Sequence, residues 1–186
     1  MVRGKERADT MNVTELALLR EAAEESAYAQ FKLGMMYVYG DTVPEDNGKA
    51  VELLTKAADQ GHVEATYNLG ICYHYGHGVE ADRQRALILY LFSAGKVYAK
   101  GMHLVGRFYF HGWCVKQNYA EAIRWFEESD KRNDPTTCGF NSCYLGVCYA
   151  KGYGVEANAE KARTYFKKAL AEGGADAEKK IKELMK

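Results

Sequence analysis

Four glycines, Gly34, Gly70, Gly106 and Gly146, order the residues of this sequence that have chemistry to offer. Positions −6, −3, +1, +4 and +5 from each glycine fall on one side of a helical wheel. From Gly34 they are Tyr28, Phe31, Met35, Val38 and Tyr39; from Gly70, Glu64, Tyr67, Ile71, His74 and Tyr75. From Gly106 they are Lys100, His103, Arg107, Phe110 and His111; from Gly146, Phe140, Cys143, Val147, Ala150 and Lys151. Seven of these twenty are aromatic, against 12% of the whole chain, and four are charged. A merely solvated helix face would be charged. Rings on such a face suit an apolar or peptide ligand, and Lys100 and Arg107 suit an acidic group or C-terminal carboxylate on it. Three imidazoles, His74, His103 and His111, are enough for a zinc ion. They come from two segments without an i,i+4 pair, so the reading is groove or surface histidines, with no metal and no cofactor. No nucleophile elbow, Ser-x-x-Lys pair or metal signature occurs, which leaves no catalytic residues to nominate.

Those glycines sit inside a repeat. Ala29–Ala50, Ala65–Ala86, Gly101–Ala122 and Asn141–Ala162 share one pattern, spaced by thirty-six, thirty-six and forty residues. Each copy predicts two helices. The first buries a stripe that includes the glycine and Tyr37, Tyr73, Tyr109 or Tyr149. A glycine there costs about 1 kcal/mol relative to alanine, which implies close approach of a neighbouring helix. Gly40, Gly76, Gly112 and Gly152 end the first helices in the left-handed conformation. Asp46, Asp82, Asn118 and Asn158 are placed to cap the second helices, and Ala50, Ala86, Ala122 and Ala162 mark their close contacts.

The expected organisation is a loose tail at 1–11, a half-repeat capping helix at 12–26, and repeats at 27–61, 63–97 and 99–133. A connector at 134–138, a repeat at 139–173 and a capping helix at 174–186 follow. In that last helix Ala177, Ile181 and Leu184 form one apolar side.

The pattern A-x-x-x-L-G-x-x-Y-x-x-G-x-x-V-x-x-[DN]-x-x-x-A resembles the Sel-one-like repeat, a relative of the tetratricopeptide repeat, over about 27–173. Gly101 and Asn141 depart from its first alanine, Val105 from its leucine, and Thr42 and Cys114 from its turn glycine. The resemblance implies an all-α, right-handed superhelical solenoid of helix pairs whose first helices line a concave surface. It implies a non-enzymatic scaffold or adaptor that binds a protein or peptide. The nominated contacts are Tyr28, Phe31, Met35, Tyr39, Tyr67, Ile71, His74, Tyr75, Lys100, His103, Arg107, Phe110, His111, Phe140 and Lys151. A secreted, cysteine-rich branch of the family is linked to β-lactam opening, which sets a weak hydrolase as the alternative. That branch pairs cysteines between the two helices of a repeat. Here no second helix carries a cysteine, so its framework cannot form.

Composition narrows the rest. Lys plus Arg and Asp plus Glu number 25 each, so net charge is zero and neither nucleic acid nor an anionic membrane is an expected partner. No apolar run reaches the roughly 20 residues a membrane span requires. Five cysteines, an odd number with no leader, point to a reducing, cytoplasmic setting. Cys72 and Cys148 occupy equivalent core positions, Cys114 lies in a turn, and a local Cys138–Cys143 link stays open. The expected state is a monomer.

Overall fold

The computed structural model describes residues 13–40 and 42–186; the tail read at 1–11 lies outside them. Among the described residues there are nine helices and no strand. The helices are α1 (Val13–Ala22), α2 (Ala27–Tyr39), α3 (Asn47–Asp59), α4 (Val63–Tyr75), α5 (Arg83–Gly95), α6 (Ala99–His111), α7 (Tyr119–Asp130), α8 (Cys138–Lys151) and α9 (Ala159–Leu184). They form two compact units, one ending at Asp82 and the other beginning at Arg83.

Local chemistry sets the boundaries. The Asp46, Asn118 and Asn158 side chains each accept a hydrogen bond from the amide three residues on, closing the starts of α3, α7 and α9. Gly40, Gly76, Gly112 and Gly152 adopt φ between 64° and 77°, and each amide bonds a carbonyl of the helix it ends. Only glycine takes that conformation without steric cost.

In the first unit α1 leans on α2. Its Leu16 and Leu19 pack against the cluster of Ala23, Ala29 and Leu33, as does Leu53 of α3. Gly34 meets Leu53 and Leu54, the latter fully buried. Gln30 is buried between the helices, with its amide on the Ala23 carbonyl and its oxygen accepting from Gln60.

In the second unit the core runs through Ile123, Phe126, Tyr144, Leu145, Val147 and Cys148. Gly106 of α6 receives Phe126 of α7, and Gly146 of α8 receives Phe166 of α9. Helix α9 is kinked at Gly174 (φ 52°, ψ −134°), which turns its last arm back onto α8. Ala177 is wholly buried there with Cys143 and Ala169, under Ile181 and Leu184. Gly139 and Gly173 meet backbone to backbone; a Cβ on Gly139 would lie 2.9 Å from the Gly173 nitrogen.

Candidate functional site

The nominated faces differ between the two units. In the first, Tyr28 (58% exposed), Tyr39 (69%) and Tyr75 (54%) present their rings to solvent. Phe31, Met35, Tyr67 and Ile71 are half-buried beside them. Phe31 stacks on the His62 imidazole at 4.6 Å, and Tyr28 approaches the same ring at 6.4 Å. His62 is held in turn because its Nδ1 accepts the Ala65 amide at the start of α4. A carbonyl-like acceptor role at Nδ1 puts the proton on Nε2. Thus a helix cap doubles as the platform for two rings. His74 departs from the expectation of an exposed face: it is 7% exposed, and its ring stacks on Tyr75 at 4.4 Å.

In the second unit more of the face is covered. Phe110 is 6% exposed, enclosed by Tyr119 at 5.2 Å, Tyr144 at 4.9 Å and Phe126 at 6.5 Å. It is a core residue, which corrects its assignment to an open groove. His103 joins a hydrogen-bonded chain through the interior. Its Nδ1–H donates to the Asn141 oxygen (2.7 Å), the Asn141 amide donates to Ser129 Oγ (2.9 Å), and the Ser129 hydroxyl donates to the Ala99 carbonyl (2.9 Å). Asn141 and Ser129 are completely buried. Burial, with Arg107 and Lys180 nearby, holds the His103 imidazole well below its ordinary value, to about 4, against the pull of the Asn141 bond. His111 is depressed to about 4 by the same causes. Both rings are therefore neutral at pH 7.

The accessible part of this face is cationic and centred on Trp113. The Arg107 guanidinium lies over the indole at 5.3 Å, Arg83 lies over it at 5.7 Å, and His111 stacks on it at 4.6 Å. Arg107 Nε is buried and makes no hydrogen bond to a protein group. Lys100 and Phe140 are half-buried near the helix starts. Lys151 donates to the Met185 carbonyl at 2.9 Å, so its ammonium is committed to the last arm of α9. Cys143 and Val147, which the helical wheel also placed on this face, are fully buried beneath that arm.

Trp113 was not nominated. Its signal is present in the sequence: the residue after each helix-ending glycine is Asp41, His77, Trp113 or Tyr153, three of them rings. The five cysteines are free, and only Cys114 is exposed, so the Cys138–Cys143 link is not formed. Among the described residues no three His, Cys, Asp or Glu side chains are grouped so as to hold a metal, and no helix is long and apolar enough to cross a membrane.

The Sel1 repeat family model matches residues 27–62, 63–95, 99–129 and 143–174. Among solved structures, the chain is similar to a Sel1 repeat protein from Oxalobacter formigenes, at 28% identity and a TM-score of 0.78, over 92% of this chain and 69% of that one. It is also similar to c5321 of uropathogenic Escherichia coli, described as a protective antigen with an SLR fold. That likeness is 27% identical with a TM-score of 0.83, over 97% of this chain but only 38% of c5321. Among curated proteins no sequence gives a significant match.

Proposed function

The chain belongs to the Sel1 repeat family, whose modules typically mediate protein–protein interaction, and from that premise we propose that it is a non-catalytic scaffold holding a segment of another protein against its first-helix faces. The observation that carries this reading is the exposure of Tyr28, Tyr39 and Tyr75 on one side of α2 and α4. Exposed rings of that size on a soluble surface are tolerated mainly where something binds. The chain's own fold supports a helical occupant: the last arm of α9 already lies on the corresponding face of α8, with Ala177, Ile181 and Leu184 turned inward. In the second unit taken by itself, the Arg107 guanidinium, with its plane over Trp113, is suited to an acidic side chain or C-terminal carboxylate. Five free thiols support a reducing, cytoplasmic setting, and the balanced net charge supports a protein rather than a nucleic acid as partner.

The test is affinity purification with mass spectrometry using the full chain and the Tyr39→Ala/Tyr75→Ala variant. Both rings are exposed, so the variant keeps its helical circular dichroism. The expected result is loss of a specific partner from the variant. Identical partner recovery overturns the reading.

A further inference from the structure

The last arm of α9 continues the series of first helices. Ala177 and Ile181 fall thirty-six residues after Asn141 and Leu145 of α8, which is the spacing of the repeat. Ala177 is fully buried, as Asn141 is, and it packs with Cys143 of α8. By that register Lys180 takes the place that Tyr144 holds in α8. Its side chain is only 24% exposed, and its ammonium lies over the Tyr144 ring at 5.6 Å. The charge is held against the unit rather than extended into water.

A run of contacts joins Lys180 to Arg107. Tyr144 Oη lies 3.4 Å from His111 Nε2, His111 stacks on Trp113, and Arg107 lies over that indole. Both cations also bear on the same two imidazoles. After burial, the charges that lower His103 and His111 are Arg107 and Lys180 at each ring, and no carboxylate offsets them at either. The repeats supply an internal control. Where α6 has Arg107, helices α2, α4 and α8 carry Met35, Ile71 and Val147, so the hairpin needs no charge there. Arg107 is half-buried, its Nε has no acceptor, and among the described residues it makes no ion pair. Lys180 meets Glu183 at 3.4 Å, but that carboxylate is half exposed and such a pair is worth little. Cations withdrawn from water without a counter-charge are costly, and a bound anion removes the cost.

Charge and donor geometry identify the anion. One carboxylate would balance only one of the two cations. A phosphomonoester carries a charge of about −1.5 to −2 at pH 7 and balances both. A guanidinium stacked by its face keeps its in-plane N–H donors for oxygen, and an ammonium adds a point charge from a second direction. That combination suits the several oxygens of a phosphoryl group.

We propose that Arg107 of α6 and Lys180 of the last arm of α9, linked through Tyr144 and His111, form a binding site for a phosphomonoester dianion. The inference rests on the reading of Arg107 as an oxyanion ligand and is independent of the tyrosine faces of α2 and α4. Its test follows the His111 ring resonances of the full chain by NMR at neutral pH and constant ionic strength. Phenyl phosphate should shift them saturably, and benzoate, a monoanion with the same ring, should bind about tenfold more weakly or less. Tyr39→Ala/Tyr75→Ala should leave the phosphate affinity unchanged, which separates this site from the tyrosine faces. Arg107→Met places there the residue that α2 carries, and Lys180→Gln keeps the length of the arm. Each should weaken phenyl phosphate about tenfold, or about 1.4 kcal/mol. Unchanged circular dichroism, with Cys143 still protected from thiol reagent, shows that fold and arm are kept. Exposed Lys179→Gln is the control for general charge and should have no effect. An unshifted His111, equal binding of benzoate, unchanged affinity in Arg107→Met or Lys180→Gln, or an equal loss in Lys179→Gln overturns the proposal. A short phosphotyrosine peptide distinguishes the sources: tighter binding than phenyl phosphate supports a modified protein segment, and equal binding supports a free phosphate ester.

Discussion

Phe126 packs against the bare Cα of Gly106: a methyl group built on that glycine would sit 2.6 Å from the ring's Cε1. Gly146 stands in the same relation to Phe166, at 2.5 Å, whereas a Cβ on Gly34 would meet Leu54 Cγ at 3.3 Å. One consensus glycine therefore does different work in different repeats. Gly106→Ala should destabilise by about 1–3 kcal/mol, because the fully buried Phe126 ring cannot step aside, and Gly146→Ala by less, because Phe166 is only half-buried. Gly34→Ala should be near neutral or gain up to about 1 kcal/mol, since helix propensity offsets a small leucine adjustment. Urea titration of the three variants checks the order, and an equal loss at all three would contradict it.

Acid should unfold the protein through two imidazoles. His103 and His111 titrate near 4 in the folded chain, below the ordinary 6.5. The unfolded chain then binds protons that the native one does not, so stability falls as pH drops from 6.5 towards 4 and levels off below. The slope is up to about 1.4 kcal/mol per pH unit for each ring. Denaturant midpoints at pH 7, 6 and 5 measure it, and NMR titration of the two rings assigns it. A midpoint unchanged between pH 7 and 5 would refute this account.

Thiol chemistry should report on the last arm of α9. Burial pushes the Cys143 thiol up to about 11 and Cys148 up to about 12, and it raises Cys72 and Cys138 as well. Cys114 is exposed. An aromatic disulfide reagent should therefore label one thiol rapidly in the native chain. Deleting 175–186 removes Ala177, Ile181 and Leu184 from over Cys143. A second fast thiol and lower solubility are expected, and unaltered labelling would show that the arm does not protect it.

A turn substitution should stabilise. Cys114 holds φ 53° where the equivalent residues Gly78 and Gly154 hold 72° and 70°. A side chain in that region costs about 1–2 kcal/mol. Cys114→Gly should raise stability by about 1 kcal/mol, and Gly154→Ala should lower it by more, because its Cβ would press within 2.8 Å of Tyr119 and Ala120. Thermal melts that move in the opposite directions would rule this out.

What the sequence disclosed follows from the range of the forces involved. The helix ends were legible because a cap and a left-handed glycine act within four residues. The glycine-and-tyrosine stripe was legible because four copies repeat it. The site was less so. A helical wheel puts Phe110 and Tyr75 on comparable faces, but Tyr119 and Tyr144 close over Phe110 and leave Tyr75 open. That difference depends on side chains one helix away. Cys143 and Val147 were likewise assigned to an open wall, and the kink at Gly174 brings a helix over them. Two adjacent glycines announce a break without stating its direction.

The turn glycines have a further consequence. Gly78 abuts the backbone of Asn47, and Gly154 that of Tyr119 and Ala120, each at the start of the preceding repeat's second helix. Within each unit, then, one hairpin meets the next with main chain close against main chain at this turn. Side chains on the outer surfaces of those two hairpin pairs can be exchanged for new ligands without touching that contact.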